Sequence, residues 1–391
     1  MGTTPTERPK KSLKKRLEPF IFLAIFFALF GYLGSKMGLS NMLKTMMGTA
    51  YDLLTSTCLS IMSIPVLSGA LARLLTEFGV VGLLEKILRP LMRPLFNLPG
   101  VAALGAVVTF LSDNPAIISL AKDSRFARFF KTYQMISLTN FGTAFGMGLV
   151  VIVTMMSYGY MGPAMIGLFG AACGCLVSTR LMQRFTLKAH PEYDTPATAS
   201  LAEGDESIEE EVEAPAEKST FLRVLNSMLD GGRSGVDLGF AIIPGVLIIS
   251  TFVMMLTFDT MAGEHPEFTG AAYEGVGLLP HLADKVDFIF RWCFGFTNSQ
   301  LIAFPITALG AVGAALGLVP TFIKNSLLDG NAVAVFTAIG MCWSGYLSTH
   351  TAMLDTMGFR SLTSKAILAH TIGGLCAGII AHRAYVLVTM F

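Results

Sequence analysis

The stretch "TFLSDNPAIISLAKD", residues 109–123, puts Ser112, Asp113, Asn114 and Pro115 at the end of a long apolar run. A carboxylate at membrane depth is either neutral or faces a cation. Pro115 has no N–H, and Asp and Asn favour helix breaks, so the triplet marks a break. Three further polar clusters interrupt apolar sequence. They are Thr139 and Asn140 in "SLTNFGT", Thr297, Asn298, Ser299 and Gln300 in "FTNSQ", and Ser348, Thr349 and His350 in "YLSTHTA". Helix breaks offer N–H groups to anions and free carbonyls to cations. Hydroxyl and amide oxygens beside them suit a sodium shell or a hydrogen-bonded solute. The chemistry expected is therefore binding of a small polar solute, with sodium or a proton as coupling ion and no resident cofactor.

Plainer roles compete. Thr139 and Asn140 also suit glue between helices, because Gly142, Gly146 and Gly148 make a close-packing face beside them. His350 also suits a satisfied core histidine. Arg73 and Glu77, four apart, read as a local ion pair. No H-E-x-x-H, G-x-S-x-G or Walker A string is present, and His350 and Asp355 need not face each other. No enzyme is expected. Cys173-x-Cys175 has the wrong spacing for zinc, so the six cysteines read as inert buried thiols.

The elements that must position these groups are membrane helices. Hydrophobic residues make up 53% of the chain and charged residues only 14%, against about 25% charged in soluble domains. Continuous apolar runs of spanning length give an all-α polytopic membrane protein with about eight to ten membrane segments. The partners expected are the lipid bilayer, a small polar solute, and a second copy or another membrane protein. A net charge of +1 gives no basis for a nucleic-acid partner.

The basic tail "ERPKKSLKKRLE" precedes an apolar stretch with no A-x-A cleavage site. It places the N-terminus on the cytoplasmic side of the inner membrane, before an uncleaved first helix. Four parts follow: the tail (1–18), a first membrane half (19–180), a cytoplasmic linker (181–232) and a second membrane half (233–391). Within the linker, 202–217 carry eight acidic groups, the composition of a solvated, disordered segment.

"VGLLEKILRPLMRPLFNLPG" sets Glu85, Arg89 and Arg93 four apart, as in a helix lying in the interface. Basic residues flank 101–121 on both sides: Lys86, Arg89 and Arg93 before it, Lys122, Arg125, Arg128 and Lys131 after it. Both flanks belong inside, so 101–121 should enter and turn back. Irregular backbone at that depth must be buried in protein or line a watery cavity.

The halves share strings in order: Ile64-Pro65 with Ile243-Pro244, "VGLL" at 81–84 and 276–279, and "ALGAV" at 103–107 and 308–312. "FLSDNPAIISLAKD" (110–123) pairs with "YLSTHTAMLDTMGF" (346–359). With opposite orientations from the charges, this is an inverted repeat of the secondary-transporter kind.

A span with an internal proline, then "LLEKILRPLMRPLFNLPG", then a Gly/Ala-rich segment with a polar break resembles the nucleoside-recognition, or Gate, domain. That domain occurs in concentrative nucleoside transporters, ferrous-iron transporters and spore maturation membrane proteins. "GFTNSQLIAF" (295–304) resembles the asparagine-bearing stretch of the nucleoside transporters. The resemblance covers about 55–160 and, more loosely, 235–380. It implies two Gate-like repeats with broken helices around a central site, and solute or sodium contacts at Asp113, Asn114, Thr297 and Asn298. The acidic motif of nucleoside transporters and the G domain of iron transporters are not evident. A cation-coupled transporter of a nucleoside-like solute is the function expected. The alternative is a non-transporting scaffold or gating component docking a partner on the acidic linker.

Overall fold

The computed structural model describes residues 13–114, 116–122, 124–197, 219–262 and 266–390. Pro115 and the acidic stretch 202–217 lie outside the described residues, as does the basic tail up to residue 12. Among the described residues no extended strand forms, and seven helices are long and apolar enough to cross a membrane.

Helix α1 (Leu13–Met37) exposes Phe20, Phe22, Ile25 and Phe27 and packs only near its end, where Leu33 and Met37 meet Met42 and Met255. Two repeats follow. The first contains α2 (Leu39–Glu77), the arm α3 (Val80–Leu91), a hairpin of α4 (Ala102–Leu111) and α5 (Ala116–Lys122), a broken helix of α6 (Thr132–Thr143) and α7 (Gly148–Ser157), and α8 (Met161–Ala189). The second contains α9 (Thr220–Thr257), an arm of α10 (Leu278–Asp284) and α11 (Asp287–Phe294), and a hairpin of α12 (Ala303–Gly310) and α13 (Val312–Leu316). A broken helix of α14 (Gly330–Trp343) and α15 (Tyr346–Thr356) and then α16 (Thr363–Thr389) complete it.

The repeats are inverted. Along α2 and α9, Glu77 meets Arg223, Gly69 meets Gly231, Pro65 meets Gly235 and Met62 meets Gly239. Numbers falling on one helix as they rise on the other mean an antiparallel pair. The same order holds for α8 and α16, where Gly170 meets Ala377 and Gly174 meets Gly373. Glycine is required at these crossings, because a Cβ on Gly69 or Gly174 would sit 2.5 Å from a facing carbonyl oxygen. Close backbone approach by small residues is how helices associate without a hydrophobic driving force.

Both hairpins reverse. Gly105 lies against Ile117 and Leu120, although a twelve-residue step along a straight helix would separate them by about 18 Å. Phe304 and Val312 both lie against Gly340, with extended Ala311 turning the chain between them. The reversal expected within 101–121 is present.

The arms correspond closely. Glu85 pairs with Arg89 at 2.6 Å, and Asp287 pairs with Arg291 at the equivalent place. Leu83, Ile87 and Leu91 on one arm, and Leu282, Phe288 and Trp292 on the other, are exposed. Arg180 of α8 donates to the Pro94 and Leu95 carbonyls, and Arg383 of α16 donates to the Trp292 carbonyl, each at 2.7 Å. These guanidinium groups satisfy carbonyls that a helix end leaves free.

Three expectations are corrected. Glu77 pairs with Arg223 at 2.9 Å rather than with Arg73, because α9 brings Arg223 alongside the end of α2. The helices also run into the expected linker from both sides, α8 to Ala189 and α9 from Thr220. Finally, 346–359 is not the counterpart of 110–123. It forms α15 of the second broken helix, which answers to α7, while the counterpart of the 112–114 break is the turn at Ala311. "ALGAV" is likewise out of register, opening α4 at 103–107 but straddling the Ala311 turn at 308–312. Shared small residues matched where position in the repeat did not.

Candidate functional site

Four interruptions of helix meet at the centre: 112–114, 144–147, Ala311 and 344–345. Asn114 is the keystone. Its side chain is buried, with 2% of its surface exposed, and its Nδ2 donates to the Ser344 carbonyl at 2.7 Å. Its carboxamide lies against Gly146, where any Cβ would overlap it. Met147 follows in a left-handed conformation (φ 55°), which starts α7 on a new path. The second hairpin reaches the same place from the other side. Gly345 (φ 68°) donates its N–H to the Ala308 carbonyl at 3.2 Å.

Two polar atoms at this crossing are buried without a hydrogen-bond partner: Oδ1 of Asn114 and Oγ of Ser344. Leaving such atoms unmatched costs roughly 1–3 kcal/mol each, so the crossing is suited to receive a polar group. Asp113 stands beside it, half-buried, its carboxylate accepting from the Asn114 N–H at 2.7 Å. Ser112 is exposed and turns its hydroxyl back to Val108. The donor set is carboxamide, hydroxyl, carbonyl and carboxylate oxygen, which can hydrogen-bond a hydroxylated solute or ligate a hard monovalent cation.

Thr139 and Asn140 sit one layer behind. Asn140 Nδ2 donates to Ser178 Oγ at 2.9 Å and to the Ala366 carbonyl at 3.0 Å, and Thr139 donates to the Ile136 carbonyl. Ser178 in turn meets His370 Nδ1 at 2.8 Å, and His370 Nε2 bonds the Cys342 carbonyl. Donation to a carbonyl puts a proton on Nε2, and in that tautomer Nδ1 accepts from Ser178. The chain Asn140–Ser178–His370 ends two residues before Ser344. It fixes the end of α14, and hence the carbonyl that holds Asn114.

His350 is fully buried, 4.6 Å from the His370 ring, and neither nitrogen makes a regular hydrogen bond; the Tyr346 carbonyl one turn back is its polar neighbour. Thr349 is half-buried on α15 and bonds back to the Gly345 carbonyl at 2.9 Å. The "FTNSQ" residues are not brought to the crossing. Asn298 caps the turn Ser299–Ile302, accepting from the Gln300 N–H at 2.8 Å. Thr297, Ser299 and Gln300 lie with it at the foot of the second hairpin, a helix length from Ala311.

Ser344, Gly345 and Ser178 are the site residues that residue types alone did not single out. A glycine just after a serine in mid-span was the available signal for the 344–345 break.

Residues 19–159 match the family model described as Gate, nucleoside recognition. Over 218 residues the chain is 25% identical to an uncharacterized protein of Alkalihalophilus pseudofirmus, a match covering 54% of this chain and 46% of that one. The chain thus spans about half the length of the curated relative it matches. In fold it is similar to CNTnw in an inward-facing substrate-bound state, with 14% identity, a TM-score of 0.51, and coverage of 96% of this chain and 87% of that one. A CNTnw variant in an outward-facing state gives 13% identity, a TM-score of 0.52, and coverage of 97% and 87%. The resemblance to Gate-domain membrane proteins is borne out, and the neighbours show the fold.

Proposed function

We propose that this integral membrane protein is a secondary transporter carrying a small, hydroxyl-bearing polar solute of nucleoside type, coupled to sodium or to protons. The observation that carries this is the meeting of four helix breaks at Asn114 and Ser344, with two buried oxygens that have no hydrogen-bond partner. The Gate match over the first repeat and the likeness to concentrative nucleoside transporter structures support it. The oxygens of Asn114, Asp113 and Ser344 suit sodium, and among the described residues no catalytic set accompanies them. We place the protein in the inner membrane with its N-terminus and the 190–218 segment cytoplasmic, on the strength of Arg125, Arg128, Lys131 and Lys188.

The test is uptake of labelled nucleosides and other neutral polyols into proteoliposomes, with and without sodium and proton gradients. Gradient-driven accumulation of one class is expected. Background flux across the whole panel under both gradients would overturn the reading.

A further inference from the structure

α14 and α15 form one interrupted span, and the two halves differ. Every residue of α14 from Asn331 to Trp343 is buried. In α15 one face is bare: Leu347, Ser348, Thr351, Ala352, Asp355 and Thr356 are exposed. The spacing 348, 351, 352, 355 is a single helical face. Its chemistry differs from that of the large apolar residues exposed on other spans. Exposed residues on α16 include Leu368, Leu375, Leu387 and Val388, and on α9 Phe240 and Ile248. A face of hydroxyls and a carboxylate in mid-bundle belongs against water, since polar groups within spans face the bundle interior or a water-filled cavity.

The face has defined ends. At its inner end stand Ser344 and Asn114, with their unpaired buried oxygens. At its outer end Asp355 faces Arg360 at 3.7 Å, both side chains more than half exposed. α15 is eleven residues long, so this path covers about 16 Å, half a hydrocarbon core of about 30 Å. Phe359, next to the outer end, packs on Tyr193 at 5.6 Å, beside the Lys131–Asp194 pair of the strap that follows α8. The mouth is therefore at the basic end of the molecule.

We propose that the polar face of α15 lines an aqueous vestibule running from the basic side of the membrane to the Asn114–Ser344 crossing. Resting on the transport reading above, it is the exit route for solute in this conformation. Ser348 and Thr351, whose hydroxyls donate to the Gly345 and Leu347 carbonyls, offer acceptor oxygens along the way, and Asp355 at the mouth favours neutral or cationic hydroxylated solutes over anions.

Single cysteines at Ser348, Thr351 and Asp355 are compared in proteoliposomes with Leu368→Cys, each corrected for the unsubstituted chain. The probe is a charged, membrane-impermeant methanethiosulfonate, which needs a thiolate and therefore water. All three should react from one side only, about 100-fold faster than Leu368→Cys, as two units of thiol pKa would give. Ser348→Cys and Thr351→Cys reacting as slowly as Leu368→Cys would overturn the vestibule, whether lipid or a second copy covers the face. Hydroxyl-radical labelling of the unsubstituted protein checks the same point without a variant: Leu347 should be labelled and Leu368 spared, and equal labelling overturns it. A wet face without uptake of any solute would remove the transport reading and leave the vestibule. Uptake with a dry face would do the reverse.

Discussion

Asn114 and Ser344, 230 residues apart in sequence, are joined by a 2.7 Å hydrogen bond from carboxamide to backbone carbonyl. The first belongs to the hairpin of the first repeat, the second to the broken helix of the second. The bond therefore closes the inverted repeat at its centre, and any motion that opens the crossing must break it.

Asn114→Ala should lower uptake at least about tenfold and destabilise the fold by about 1–3 kcal/mol, because it strands the buried Ser344 carbonyl. Transport assays and thermal melts in detergent read the two effects. Unchanged uptake would remove Asn114 from the site. Asp113→Asn separates charge from geometry: it keeps an oxygen for the Asn114 N–H but loses the carboxylate, so cation dependence should weaken while the melt barely moves.

Gly146→Ala should be worse than its size suggests, because a methyl there falls on the Asn114 carboxamide. Overpacking costs about 1–3 kcal/mol. The double variant Gly146→Ala with Asn114→Gly clears the clash but still strands the Ser344 carbonyl, so it should melt no lower than Asn114→Gly alone and should not recover uptake. A Gly146→Ala protein that melts and transports like the parent would mean the two residues are not in contact.

Asn140→Ala tests structure against binding. The carboxamide bridges α6 to Ser178 and to the Ala366 carbonyl, so its loss should cost about 1–3 kcal/mol and reduce the maximal rate through lost protein. The solute concentration at half-maximal uptake should stay within about twofold, a shift below 0.5 kcal/mol. A large shift there would move Asn140 into the binding site.

Glu274 gives a pH dependence outside the spans. It is 7% exposed and ties the 266–277 loop to α2. Burial alone, the largest influence, would raise its pKa, but the Thr269 hydroxyl and the N–H groups of Thr269, Gly270 and Ala271 together lower it. A lowered value means the unfolded chain takes the proton more readily, so the stabilisation is full above the ordinary carboxylate value of about 4.3 and is lost as pH falls through the folded value. Melts followed downward from neutral pH should show this loss, and Glu274→Gln should start lower and fall less steeply. Parallel curves for the two proteins would contradict it.

The membrane class, the two repeats and the break at 112–114 were legible because they rest on local signals: apolar length, basic flanks, and Asp-Asn before a proline. The arms were legible for the first repeat through Glu85, Arg89 and Arg93. What was hidden depends on contacts across hundreds of residues. Asn298 looks like Asn114 in a sequence, yet it caps a turn at a hairpin foot while Asn114 spans the repeats. Ser344 and Gly345 carry no unusual chemistry; their importance comes from what the second hairpin and Asn114 place against them. Glu77 was paired with the nearest arginine along its own helix, because an antiparallel neighbour supplying Arg223 cannot be read from spacing.

Arg180 and Arg383 offer a test of the inverted symmetry itself. Each stands late in the closing helix of its repeat and donates to carbonyls at the end of its own arm. Arg180 reaches two carbonyls and has Gln183 beside it bonding the Phe96 carbonyl at 2.9 Å. Arg383 reaches one carbonyl and also lies over the Trp292 ring at 5.3 Å. Planar donation of this kind is poorly copied by lysine. Arg180→Lys and Arg383→Lys should therefore both loosen their arms, seen as faster amide exchange in 88–97 and 288–295 respectively, with each effect confined to its own repeat. Arg180→Lys should show the larger change, since two carbonyls lose their donor. If Arg383→Lys loosened the first arm as much as the second, the arms would be coupled through the centre instead of each being held by its own closing helix.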